Sequence, residues 1–379
     1  MVRTVLFLFP VIILLSLQDE KKDITRFNQS DLFFQTAKIV PHIVDFQDTI
    51  ANDTLFEYRN KEGQPLMYSR KILTGVCIEG KCRLVRINLF WHVTGRYLGF
   101  ELPGGEFLSK TEHHPFKPQE YDRLHFLLAD PQSALSQYSL DELVPKQDTA
   151  QNGVDAVSTA TLAAVLDYIV EGAVYTTYTL WHIIHGPTQR EIELLTTKNL
   201  SAPLILRILK SESLSDQVWA LNHITAETEI TEDIQKEFFG FISGDDVYLV
   251  ERALAAIPEK LLSDTEIQSK LTDIFNETSF LKKRLILQRL KEAPVLHSGA
   301  VIRLTEHLES LSGTLVKSLM ELLMQFDIEN KTIVADVQPL LENKNRYIAN
   351  QAFKFLDSLE NPDRKTERKI EKFKEQNNF

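Results

Sequence analysis

Over 154–161 the chain reads Val-Asp-Ala-Val-Ser-Thr-Ala-Thr and passes at once into the apolar run 162–166. Asp155, Ser158, Thr159 and Thr161 gather side-chain oxygens where a helix is expected to begin, with Ala160 leaving space between them. A helix start also presents backbone N–H groups that have no partner within the helix, and it carries partial positive charge. That combination suits a phosphate. It equally suits an ordinary N-cap, in which Asp155 or Ser158 contributes about 1 kcal/mol and no chemistry. Because hydroxyl residues ahead of apolar runs are common, these eight residues alone favour the cap.

The other residues able to do chemistry are scattered. Cys77 and Cys82 enclose Ile-Glu-Gly-Lys between two strand-like runs, 71–76 and 83–90. With Glu79-Gly80 as a two-residue turn, Cys77 falls opposite Cys82, close enough for a disulfide worth about 2 kcal/mol on the chain-entropy model. Free thiols are the alternative, while a metal site would need further ligands nearby. His113 and His114 follow a Gly104-Gly105 turn and point apart on any regular element, which argues for a solvated loop. His182 and His185 share a helical face with Trp181 and Tyr178 nearby, but no His-Glu-x-x-His pattern accompanies them. Ser158 lacks the Gly-x-Ser-x-Gly context of a hydrolase.

The elements that must position these residues differ along the chain. Residues 1–18 hold one arginine, a thirteen-residue apolar core and an abrupt polar edge, the pattern of a secretory signal peptide. Export to a periplasmic or extracellular compartment follows, with an uncleaved short anchor as the alternative and the sole expected membrane contact. A formal net charge of −11 with a pI near 5.5 argues against a nucleic-acid surface. The lead-in 19–53 has a helix expected to stop before Pro41, since the residue ahead of proline avoids the α region. From Thr54 the texture is β: 55–59, a Gly63 turn, 65–69, the cysteine hairpin, and 95–102 ending at Pro103-Gly104-Gly105. Phe90, Trp91, Tyr97 and Phe100 read as sheet core. Residues 118–128 read as a helix burying Tyr121, Leu124, Leu127 and Leu128. The helix opened at the 154–161 stretch is expected to run on to Ala173.

This order of hairpin, sheet, helix and Asp-x-x-Ser-x-Ala-Thr resembles the FMN-binding domain of the sodium-pumping NADH:quinone reductase and Rnf complexes. The family signature is Asp, two variable residues, Ser or Thr, Gly, Ala, Thr. Asp155, Ser158, Ala160 and Thr161 match, whereas Thr159 stands where the family has glycine. A β-branched residue is strained by about 1–2 kcal/mol wherever φ must be positive. The resemblance implies an α+β domain with an antiparallel sheet over 54–186. It also implies FMN held covalently as a phosphoester on Thr161, a separate flavin transferase that installs it, and a redox partner protein.

Beyond Pro187 a 33-residue period replaces the β texture. Leu221, Leu254, Leu287, Met320 and Phe353 form one column, and Ile224, Ile257, Leu290, Leu323 and Leu356 a second. Ala220, Ala253, Ile286, Leu319 and Ala352 form a third. Two more run Ile205, Phe238, Leu271, Leu304, Val337 and Leu209, Ile242, Phe275, Leu308, Leu341. Their spacing within each copy is helical, so each copy is expected to be a helix pair that buries its apolar face only by stacking on the next. The expected architecture is therefore the α+β domain followed, over 187–359, by a C-terminal α-solenoid of five HEAT-like repeats. Residues 360–379 are a charged tail, either a solvated capping helix or a frayed end. Two functions follow as expectations. One is an exported flavin-carrying electron-transfer protein whose solenoid docks a protein partner. The other is a flavin-free exported interaction scaffold.

Overall fold

The computed structural model describes residues 22–27, 29, 31–48, 50, 53–75, 84–110, 113–143 and 166–377. The chain divides into two compact units at Lys198/Asn199, beyond the 186/187 boundary expected from the loss of β texture.

The first unit is built on a six-stranded antiparallel sheet in the order β1-β6-β5-β4-β3-β2. Its strands are β1 (Ile24–Phe27), β2 (Lys38–Ile43), β3 (Thr54–Arg59), β4 (Pro65–Thr74), β5 (Val85–His92) and β6 (Tyr97–Leu102). The runs 65–69 and 71–76 read separately in the sequence belong to one strand, β4, up to Thr74. The helix expected before Pro41 is absent. In its place stand the short α1 (Asp31–Gln35) and then β2, which contains Pro41. Proline lacks a backbone donor, and β2 tolerates it because it is an edge strand pairing only with β3.

Period-two alternation decides which side chains go where. One face carries Leu55, Tyr68, Ile87, Leu89, Trp91 and Phe100, all buried, and is covered by helices. These are α2 (Pro118–Leu128), α3 (Leu140–Leu143), α4 (Val174–Ile184) and α5 (Pro187–Lys198). As expected, α2 buries Tyr121, Leu124, Leu127 and Leu128. The opposite face is covered at one end, where Phe33 of α1 stacks edge-on to Phe90 and Tyr58 around Met67 and Leu98. Gly99 allows β1 to close the sheet on that side, since a Cβ there would stand 2.1 Å from the Arg26 carbonyl oxygen.

The second unit is helical and its elements keep a fixed step. The first rank is α6 (Ala202–Leu209), α8 (Glu232–Ser243), α11 (Thr265–Glu277), α13 (Ser298–Thr305) and α15 (Lys331–Val337). The second rank is α7 (Leu214–Asn222), α9 (Val247–Ala256), α12 (Phe280–Leu290), α14 (Gly313–Gln325) and α16 (Arg346–Asp357). A one-turn helix, α10 (Glu259–Leu262), lies in the α9–α11 connection. Within the unit the helices of each repeat pack on their counterparts in the next, and in most repeats the two helices also pack on each other. All five apolar columns are buried except at Ile224, which is half-buried.

Polar residues keep the same step at the helix starts. Ser213, Asp246, Ser279, Ser312 and Asn345 precede the second-rank helices. Thr231, Asp264, His297 and Asn330 precede first-rank ones, and Asp363 precedes α17 (Arg364–Asn377). Capping oxygens satisfy amides that have no partner inside the helix, as Asp264 does for Glu266 and Ile267. The charged tail is thus the first helix of a sixth unit, with Thr366, Ile370 and Phe373 buried. Gln268, fully buried, ties successive connections together. Its amide donates to Leu262 O and Val295 O, both at 2.7 Å, and its oxygen accepts from the His297 amide at 2.9 Å.

Two glycines give opposite expectations. Gly99→Ala forces a backbone collision and should cost about 1–3 kcal/mol in urea unfolding, as overpacking does. Gly240→Ala, in the last turn of α8 with nothing within 4 Å of a built Cβ, should instead gain up to about 1 kcal/mol. Equal effects at the two sites would contradict the geometry.

Candidate functional site

The residues singled out for flavin attachment, Asp155, Ser158, Thr159, Ala160 and Thr161, lie outside the described residues, as do Cys77, Cys82 and the leader 1–18. What the structure places is their surroundings. Downstream, the helix expected through Ala173 is not formed over 166–173. A 3-10 turn at Leu166–Tyr168 is followed by irregular chain, with Gly172 at φ +73°, and α4 starts only at Val174. Gly172 in the left-handed region turns the chain out of right-handed helix here, while Ile169, Val170 and Ala173 are buried. The Val170 amide donates to Thr177 Oγ1 (3.2 Å), whose hydroxyl donates to Ala173 O (2.9 Å). The Arg123 guanidinium of α2 holds the Asp167 carbonyl. Upstream, α3 is started by the Ser139 amide and hydroxyl, which donate to Glu142 at 2.7 and 2.8 Å. For the cysteine pair, the flanking ladder sets Thr74 against Val85.

The histidines and aromatics of α4 come together at its junction with α2. The Trp181 indole donates to Asp130 O (2.8 Å), and His185 Nε2 donates to Leu128 O (3.0 Å). Both carbonyls lie at the C-terminal end of α2, where helical carbonyls lack partners. Donation from Nε2 to a carbonyl fixes the proton on that nitrogen. The ring of His182 lies between Tyr178 (4.1 Å) and Trp181 (4.9 Å). Tyr97 of the sheet meets His125 Nδ1 at 3.2 Å. Burial pushes His125, His182 and His185 below the ordinary imidazole value of 6.5, so each is neutral near pH 7. Phe90, Trp91, Tyr97 and Phe100 are sheet core, and Trp91 donates to Ile184 O at 3.0 Å. Among the described residues no group of three His, Cys, Asp or Glu is placed to hold a metal.

A buried ionic pair of clusters on the covered sheet face went unread in the sequence. Glu57, 1% exposed, accepts Arg59 in a fork (2.9 and 2.8 Å) and meets His42 Nε2 at 2.6 Å. Arg70, fully buried, donates to both oxygens of Asp48 (2.6 and 3.0 Å) and to Thr188 Oγ1 (2.9 Å), with the Phe46 ring 3.7 Å away. A buried charge is costly unless paired and hydrogen-bonded, and these groups spend their bonding capacity on one another. They lock β2, β3, β4 and α5 together rather than presenting a reactive group. The signal was parity: Glu57 and Arg59 share a strand face with Leu55, and Arg70 shares one with Tyr68 and Ile72.

No protein-family model matches this chain, and no curated protein matches it.

The half-buried histidines set a pH dependence. Their folded values lie below the unfolded one, so the unfolded chain binds more protons as pH falls through about 6.5, and folding stability falls with it. Hydrogen exchange of first-unit amides should therefore show less protection at pH 5.5 than at pH 7.5, two points about a unit either side of that window. His185→Gln, which keeps a donor for Leu128 O, should flatten part of the slope. An unaltered slope would contradict the assignment.

Proposed function

We propose that this protein is an exported binding scaffold whose helical ladder docks a protein partner, while the sheet unit anchors or presents it. The observation that carries the reading is the unbroken register of the second unit. Five helix pairs and the first helix of a sixth commit their apolar columns to one another, which leaves the outward-facing positions free of packing demands. Such ladders offer long continuous surfaces, and surface chemistry decides what they bind. The apolar leader supports export, and a Cys77–Cys82 disulfide, in keeping with the Thr74–Val85 register, belongs to the same proposal.

A flavin-carrying electron-transfer role is the second reading, favoured by Asp155, Ser158, Ala160 and Thr161 in their order.

Two experiments separate the readings. Leu287, fully buried in α12, becomes a buried charge in Leu287→Asp, which should unfold the ladder and abolish partner binding in a reconstituted complex. Retained binding would sink the scaffold. Co-expression with a flavin transferase should give no FMN mass adduct if the scaffold reading is right. A fluorescent adduct lost in Thr161→Ala but kept in Thr159→Ala would establish the flavin reading instead.

A further inference from the structure

Outward side chains link the first-rank helices α13 and α11, and the same positions one step earlier, on α11 and α8, make no such link. Arg303 of α13 reaches α11, donating to Asp273 (2.5 Å) and Ser269 Oγ (2.7 Å). One 33-residue step earlier the same three columns hold Lys270, Gly240 and Lys236. The position on α8 that would offer Lys270 a carboxylate is a glycine. Lys270 pairs within its own helix with Glu266 (2.7 Å) and lies over the Phe239 ring (5.3 Å). Where the link is missing, a groove of about 670 Å³ opens between α8 and α11, with Phe239, Leu261 and Ile274 among its lining.

Gly240 has no structural reason to be glycine. It sits inside a helix, its φ is not positive, and a Cβ would meet nothing within 4 Å. Glycine destabilises a helix interior, and its common uses are a positive φ or the close approach of another backbone or ligand. Only the last remains here. Of the rim charges, Asp273 already holds Arg303 and Glu266 holds Lys270, which leaves Glu232 and Asp264 against Lys236, an acidic balance. The chain as a whole carries −11, so the surrounding field does not reverse that sign. Along α11 the lined stretch from Glu266 to Ile274 spans about 12 Å at 1.5 Å per residue, room for two turns of a partner helix.

We propose that the groove between α8 and α11 docks a basic amphipathic segment of a partner protein. An apolar side chain enters beside Phe239, the partner passes close over Gly240, and its lysines or arginines meet the acidic rim. This rests on the docking role of the repeats and names the partner's chemistry.

The test uses the full chain and two labelled amphipathic peptides of about 14 residues, roughly four helical turns, one of Lys and Leu and the other of Glu and Leu. Fluorescence anisotropy should show the Lys/Leu peptide binding and the Glu/Leu peptide failing to bind. Gly240→Phe should weaken binding by about tenfold or more, and Glu232→Gln with Glu266→Gln by about threefold, with a comparable loss on raising salt. Circular dichroism confirms the fold, and Gly240→Gln serves as the blocking variant if Gly240→Phe disturbs it. Preference for the Glu/Leu peptide, or no binding of either, overturns the proposal. So does a concentration-dependent dimer of the chain abolished by Gly240→Phe, which would assign the groove to a second copy. Binding indifferent to the groove variants removes this site yet leaves the docking role standing, because the Leu287→Asp complex tests that role separately.

Discussion

No helix pair in the second unit can bury its apolar face alone, and that constraint governs everything built on it. Because the neighbour's face is the only cover available, the repeat length is held at 33 residues and each helix start recurs at the same offset. The fully buried Gln268 works within this constraint: its three hydrogen bonds join the connection before α11 to the one before α13. Lys282, almost entirely buried, likewise donates to Ser243 O and Gly244 O at the C-terminal end of α8, where the last carbonyls need donors. Polar groups inside the stack thus serve the loops that a purely apolar interface would leave unsatisfied.

The sheet unit meets a related demand differently. Its covered face buries Glu57 and Arg70 among large apolar side chains, and the cost of desolvating them is met only by paired, forked hydrogen bonds. Removing one partner would strand the other, so His42, Asp48, Arg59 and Thr188 are fixed by the charges they satisfy. The clusters tie an edge strand, two central strands and α5 into one body.

The two units therefore divide the protein's work along physical lines. The first contributes a locked sheet whose α2–α4 junction gathers neutral, half-buried histidines. The second contributes a regular ladder with a groove between α8 and α11, where Gly240 stands one repeat before the Asp273 carboxylate that holds Arg303.

Much of this was readable from the residues. The 33-residue apolar columns fixed the helix pairs because burial acts on pattern, and a polar column at the helix starts carried the same period, running on to Asp363 and so marking α17 as the first helix of another unit. Alternation placed β3, β5 and β6, and the spacing of Tyr121, Leu124, Leu127 and Leu128 placed α2. Three things required the tertiary structure. Pro41 sits in a strand because β2 is an edge, and edges are a property of the assembled sheet. The chain after Tyr168 leaves helical form on its way to Gly172 at φ +73°, and the Val170 amide is met by the Thr177 hydroxyl instead of a helical carbonyl, a partner that local propensity cannot foresee. Glu57 and Arg70 are interior because their partners arrive from Arg59 and His42, Asp48 and Thr188, the last more than a hundred residues distant in the chain. Sequence by itself determined periodicity and hence element type; only the folded chain decided which charges meet, since a buried charge is tolerable only where another part of the molecule comes to neutralise it.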